Sequence, residues 1–253
     1  MSTDFTFSDR RDSKKNQLQP HLKKTWCIGV MDSVFIARME RILWLYGLPY
    51  DVRFPVLCYD ERPCFLIGEL VAGLQMKAGQ AAREHYAYEK LGSCNLLASI
   101  EPLTGKRIFD VFDQRRKREF ALHFKRVAEE FPEAEKIRVV LDNLNTHNAS
   151  AFYEVFPADE AFALAQKFEF YYTPPKASWL NMIEIEFSAI SRLCLARRIP
   201  SKEELERQVL AIVKERTEKA VKIDWQFSIE KSRKKLKRHY EQVNNDNSKT
   251  NRT

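Results

Sequence analysis

Residues 137–141 read Ile-Arg-Val-Val-Leu, and an aspartate follows at once. A short apolar run without polar alternation suits a strand covered on both faces, which a layered α/β arrangement supplies. Such a strand has no packing reason to finish on a carboxylate. Asp142 is either a turn former or helix cap, or a group held at a strand end for chemistry. The choice depends on whether other carboxylates reach it.

The surrounding sequence fills in the architecture. Phe35, Met39, Ile42 and Tyr46 recur at helical spacing. The stretch "FPVLCYDE" reads as a buried strand that ends at Asp60, and "CNLLASIEPL" and "KRIFDVFD" as two more, joined by the turn signal "LTGK". Residues 115–130 predict a helix with Phe120, Phe124 and Val127 on one face, closed by Pro132. After the strand at 137–141 come two short helices over 149–156 and 159–167 and a strand in "FEFYYTP". A long helix follows over "SWLNMIEIEFSAISRLCLARR", and Ser201 with Glu204 forms a capping-box start for another. Three consecutive strands before strand and helix alternate mean a mixed sheet with helices on its faces. Residues 1–20 are polar and aperiodic, as are residues 241–253. Both are expected to be disordered, leaving one domain over 21–240.

Charge and composition narrow the functional classes. Lys and Arg number 42 against 35 Asp and Glu, a net charge of +7, which favours an anionic partner. Glycine is scarce, at 7 residues, and no glycine-rich nucleotide loop is present. The 5 cysteines are odd in number and contain no Cys-x-x-Cys, so they read as reduced core residues of an intracellular protein and not as a zinc site. No apolar run approaches a membrane span, and the N-terminus has no signal-peptide core.

Asp60 and Asp142 thus share a strand-end setting, where open parallel sheets collect functional groups. Two bare carboxylates repel, and burial adds to the penalty. A divalent cation removes it, and an oxygen-only ligand set suits Mg²⁺ or Mn²⁺. A third carboxylate would allow two ions, the arrangement for in-line phosphoryl transfer. The helix from Ser178 onward offers Glu184 and Glu186, which flank its apolar stripe of Leu180, Ile183, Phe187, Ile190 and Cys194 on opposite sides. Burial does not choose between them. Asn181, Ser188 and Ser191 share the Glu184 flank and make it the polar one. The bland alternative is that these are turn and surface carboxylates, and Asp110 and Asp113 in "FDVFDQRR" compete for the same role.

Taken together, "VLCYDERP", "VVLDNLNTH" and "TPPKASWLNMIEIEFS" resemble bacterial insertion-sequence transposases of the mariner-like superfamily. The resemblance covers roughly residues 19–240. It implies an RNase H-like α/β core, a mixed sheet with helices on both faces. It also implies a catalytic, metal-ligating triad of Asp60, Asp142 and Glu184, with Leu180, Asn181 and Glu184 matching the "LN-x-x-E" element. Asn143, His147 and Asn181 would be auxiliary; His147 would orient Asp142, touch the scissile phosphate or cap the next helix. The implied activity is cleavage and strand transfer of double-stranded DNA with two Mg²⁺ or Mn²⁺ ions, by a homodimer acting at the nucleoid in the bacterial cytoplasm.

Two departures stand out. Such transposases carry N-terminal helix-turn-helix modules, and the segment before "LQPHLKKTWC" does not look like one. The alternative reading is therefore a truncated, non-catalytic DNA-binding or interaction protein that modulates an intact transposase. The segment "PPKA" also differs from relatives, which often carry His and Gly there. Candidate phosphate contacts are Arg115, Arg116, Lys117 and Arg118, which oppose the helix dipole at a helix start, and Lys234 and Lys235 further on. Trp179 reads as a packing residue, with base stacking as the rival role.

Overall fold

The structure is a computed structural model and describes residues 31–71, 79–80 and 85–250. The expected polar segment over 1–20 and Cys27 lie outside the described residues.

Five strands are present: β1 (Val56–Glu69), β2 (Tyr88–Ile100), β3 (Arg107–Phe112), β4 (Ile137–Leu141) and β5 (Phe168–Tyr172). They form one sheet in the order β3-β2-β1-β4-β5. β1, β2 and β3 are antiparallel neighbours, whereas β4 runs parallel to β1, and β5 parallel to β4. The helices are α1 (Ser33–Tyr46), α2 (Lys117–Glu130), α3 (Ser150–Val155), α4 (Ala158–Lys167), α5 (Ile183–Ile190), α6 (Lys202–Glu218), α7 (Ile229–Lys235) and α8 (Lys237–Thr250). Asp32 caps α1 by accepting from the Phe35 amide at 2.7 Å, and Ser201 caps α6 by accepting from the Glu204 amide at 3.2 Å.

Period-two alternation divides the core. Leu57, Tyr59, Val139 and Leu141 face α2, α3 and α4, meeting Phe120, Phe124 and Phe152. Cys58 and Val140 face the other way, toward Ile42 of α1, Ile183 and Phe187 of α5, and Leu205 and Val209 of α6. The sheet is therefore covered on both sides, which accounts for the unbroken apolar run in β4. Burial of each large aromatic contributes about 1.5–3 kcal/mol. Cys58, Cys64, Cys94 and Cys194 are free and buried, and burial pushes the Cys58 thiol up to about 12 and Cys64 up to about 11. Such thiols are inert packing groups.

The structure corrects four expectations. Asp60 does not end β1, which continues to Glu69 as one arm of a hairpin with β2. The long helix expected from Ser178 is broken. A 3₁₀ turn at Ser178–Leu180 is followed by extended backbone at Asn181, then by α5, then by a π turn at Ser191–Leu195. Asp110 is neither a rival metal ligand at the cleft lined by Asp60 and Asp142 nor a surface turn residue: it lies within β3 and pairs with His123 Nδ1 at 2.6 Å and with Arg126. His123 Nε2 in turn meets Ser99 Oγ at 2.8 Å. This Ser–His–Asp set is a buried structural network, because Ser99 and His123 are sealed from solvent. Finally, α8 runs to Thr250 across most of the expected disordered tail, where no glycine or proline interrupts it.

Candidate active site

Parallel pairing sets the first two carboxylates side by side. The last paired positions of β1 and β4 are Cys58 and Val140. Carried two residues further, that register brings Asp60 of β1 level with Asp142, the first residue past the end of β4, on the face of Cys58 and Val140 that α5 covers. β4 ends at Leu141 while β1 continues, so a cleft of about 320 Å³ opens there. Asp60, Asp142, Asn143, Thr173, Lys176 and Asn181 are among its lining residues.

Glu184 lies in the first turn of α5 with an exposed side chain, and its charge acts on Asp60. Burial pushes the Asp60 carboxyl up to about 7, helped by the charges of Asp142 and Glu184 and opposed by the Glu61 amide, which donates to Asp60 Oδ1 at 2.7 Å. Among the described residues, no group of three or more His, Cys, Asp or Glu side chains is placed to hold a metal ion. The donor chemistry nevertheless fits a hard cation. Asp60 and Asp142 line the cleft with oxygen donors alone, and Glu184, which is not among the lining residues, adds a third carboxylate whose charge reaches Asp60.

Asp142 is held from behind. His147 is buried, with Nδ1 2.5 Å from Asp142 Oδ1 in a charge contact and Nε2 3.2 Å from Glu61 Oε1. The Tyr59 hydroxyl donates to the same Glu61 oxygen at 3.0 Å, and the Tyr172 hydroxyl donates to the His147 carbonyl at 2.8 Å. Burial alone would lower the His147 pKa. The Asp142 and Glu61 carboxylates outweigh burial and raise it to about 9, so an imidazolium bridges them at neutral pH. Of the three roles considered for His147, this geometry favours orienting Asp142. Its burial keeps it from a phosphate, and α3 receives no side-chain cap.

Asn181 does not belong to the polar flank of a helix, as its spacing had suggested. Its Nδ2 donates to the Tyr59 carbonyl at 2.8 Å, pinning the start of α5 against β1. A side chain committed to a distant carbonyl, with its own Oδ1 accepting from the Ile183 amide at 3.4 Å, competes with helical hydrogen bonding and breaks the helix there. Burial also separates the two glutamates, contrary to the helical-stripe argument. Glu186 is 0% exposed and sits between Arg107 of β3 and Arg216 of α6. Arg216 donates through Nε at 2.7 Å and Nη2 at 3.0 Å, and Arg107 through Nη2 at 3.1 Å. Arg107 Nε, 2.9 Å from Glu186 Oε1, is too poorly aligned to donate and acts through charge.

The basic candidates lie apart from the cleft lining. Arg115, Arg116 and Arg118 are exposed around the start of α2, whereas Lys117 is half-buried and paired with Glu154. Lys234 and Lys235 are exposed at the end of α7, and Lys235 Nζ lies 5.9 Å from the centroid of the Phe227 ring. That ring packs edge-on against Trp179 at 5.7 Å. Sequence reasoning missed Glu61 and Lys176. Strand alternation could have flagged Glu61, which must face away from Asp60 and toward whatever supports it.

Among solved structures, the Mos1 strand transfer complex resembles this fold with a TM-score of 0.50 at 11% identity, covering 84% of this chain and 68% of that one. A pre-cleavage Mos1 transpososome (TM-score 0.43, 14% identity, 86% and 74%) and the Mos1 mariner paired end complex with Mn (0.35, 14%, 85% and 69%) are also similar. The first likeness is one of fold: the mixed five-stranded sheet with helices on both faces is RNase H-like. No curated protein sequence matches the chain. Residues 55–206, more than half of the chain, match the DDE superfamily endonucleases, and the chain belongs to that family.

Proposed function

We propose that the chain is the catalytic domain of a transposase that cleaves and transfers DNA strands through Asp60, Asp142 and Glu184. The observation that carries this reading is the placement of Asp60 on β1 beside Asp142 at the end of its parallel neighbour β4, where both line one cleft, with the charge of Glu184 felt at Asp60. Asp60, Asp142 and Glu184 would hold Mg²⁺ or Mn²⁺, a pair of ions supplying an activated attacking oxygen and a stabilised leaving oxygen. The protein's own contribution is orientation. His147 and Glu61 fix the Asp142 carboxylate, and Asn181 anchors the start of α5, the helix that carries Glu184. Asn143 adds a neutral donor on the cleft wall.

On this reading the unit spans 21–240 and works on double-stranded DNA as a homodimer at paired ends. The exposed Arg115, Arg116 and Arg118, with Lys234 and Lys235, neutralise flanking phosphates. The three motifs extend the reading to a bacterial insertion sequence and to action at the nucleoid in the cytoplasm. Among the described residues no helix is long and apolar enough to cross a membrane.

The test is cleavage of DNA ends in Mg²⁺ and in Mn²⁺ by the wild type and by Asp60→Asn, Asp142→Asn and Glu184→Gln. Each substitution should reduce the rate by about 10² to 10³, as expected for a loss of roughly 3–4 kcal/mol in the transition state. Metal-dependent cleavage that survives all three would refute the assignment. A wild type that binds DNA but never cleaves it would favour the non-catalytic alternative.

A further inference from the structure

We propose that Lys176 holds a phosphate of the DNA strand inside the carboxylate cleft. The inference rests on the functional reading above and names a contact that the reading lacks. Asp60 and Asp142 repel any phosphate that approaches them. Among the described residues lining the cleft, Lys176 is the only basic one. It is exposed and has no ion-pair partner among the described residues.

The backbone beneath it is unusual. The Ala177 amide donates to the Pro174 carbonyl at 3.1 Å, closing a four-residue turn over 174–177. Pro175 fills the second position, for which its ring is suited, and Lys176 fills the third with φ +60°. That position favours glycine or asparagine, because an unbranched or branched side chain alike meets its own carbonyl there. The turn is anchored at both ends. The Thr173 amide donates to the Leu141 carbonyl at 2.8 Å, one residue before Asp142, and Ala177 is buried. The strained residue is therefore fixed relative to Asp142, and strain of this kind gathers where a side chain has a task. Lysine suits that task, since its ammonium is a point charge that donates to a phosphate oxygen from several directions.

Full-length Lys176→Gly, Lys176→Met and Lys176→Arg separate the proposal from a merely structural role. The probe is a short DNA duplex end, with binding read across salt in Ca²⁺, whose loose coordination differs from that of Mg²⁺, and cleavage read in Mg²⁺. Loss of one phosphate contact should flatten the slope of log affinity against log salt by about 0.9 in the Gly and Met variants. Their cleavage efficiency should fall about tenfold to a hundredfold, with Arg restoring most of both. Lys176→Gly should at the same time raise the thermal midpoint by about 2–4 °C, because the turn no longer carries a strained side chain.

An unchanged slope and unchanged cleavage in Lys176→Met, against a wild type that cleaves, would overturn the proposal and leave the carboxylate site standing. Tighter metal binding by Lys176→Met with an unchanged salt slope would make Lys176 an internal counter-ion, which also overturns it. A wild type that neither cleaves nor binds DNA ends would remove the functional reading and this inference together.

Discussion

Replacing Glu186 with glutamine keeps the side-chain volume and deletes one charge from the centre of a buried ion triplet. Arg107 and Glu186 have side chains with 0% exposure, and that of Arg216 is 21% exposed. After the change Arg216 turns partly to water, but Arg107 cannot. It keeps the carbonyls of Gly105 and Val221 as acceptors and loses the only counter-charge it has among the described residues. Breaking a buried pair costs about 3–5 kcal/mol, and the glutamine oxygen still accepts one bond, which places Glu186→Gln near 3 kcal/mol. For a domain of this size that lowers the thermal midpoint by about 6–12 °C. Glu184→Gln, on an exposed side chain, should stay within about 0.5 kcal/mol. Urea denaturation followed by far-ultraviolet circular dichroism measures both, with an unchanged slope and a displaced midpoint expected for Glu186→Gln. The effect should also depend on pH. Burial raises the Glu186 pKa, but the hydrogen bonds and charges of Arg216 and Arg107 outweigh it and hold the carboxyl below its ordinary value. A group with a lowered folded-state pKa stabilises fully above the unfolded value and loses that contribution as pH falls through the folded one. The gap between wild type and Glu186→Gln should therefore be widest near pH 7 and narrow in acid, below about pH 4. A Glu186→Gln protein as stable as Glu184→Gln at neutral pH would refute the reasoning.

Two further outcomes follow from the site. Glu61→Gln should weaken Mn²⁺ binding, titrated calorimetrically, by about tenfold to a hundredfold, since it frees His147 from one of the two carboxylates that hold it against Asp142; unchanged affinity would remove Glu61 from the site's support. Substituting Arg115, Arg116, Lys117 and Arg118 together by alanine should flatten the salt slope of duplex binding by up to about 0.9 per lost phosphate contact. Lys117 should contribute least, because Glu154 already engages it; an unaltered slope would take this cluster off the DNA surface.

The central strand and the two faces of the sheet were legible because their cause is local. An apolar pentapeptide without alternation has to be covered twice, and β4 is. The end of β1 was not legible. Glu61, Arg62 and Pro63 look like a strand terminus, yet the ladder continues because β1 has already passed its last partner on β4. A proline there removes no hydrogen bond on that side. The break at Asn181 depends on the Tyr59 carbonyl, far away in sequence. The asymmetry of Glu184 and Glu186 depends on two arginines from β3 and α6. A helical wheel sees one helix and therefore treats the two glutamates as equivalent.

The triplet of Arg107, Glu186 and Arg216 also gives the site an order of completion during synthesis. Asp60 and then Asp142 leave the ribosome first, and the helix with Glu184 follows. The second arginine that secures that helix comes last, near the end of α6. Domains fold as units as the chain emerges. A nascent chain halted before Arg216 would carry all three carboxylates, with Glu186 on the third one's helix paired to Arg107 alone. The ion pair between α5 and α6 can therefore close only after all of residues 55–206 have been made, an order set by the chain itself.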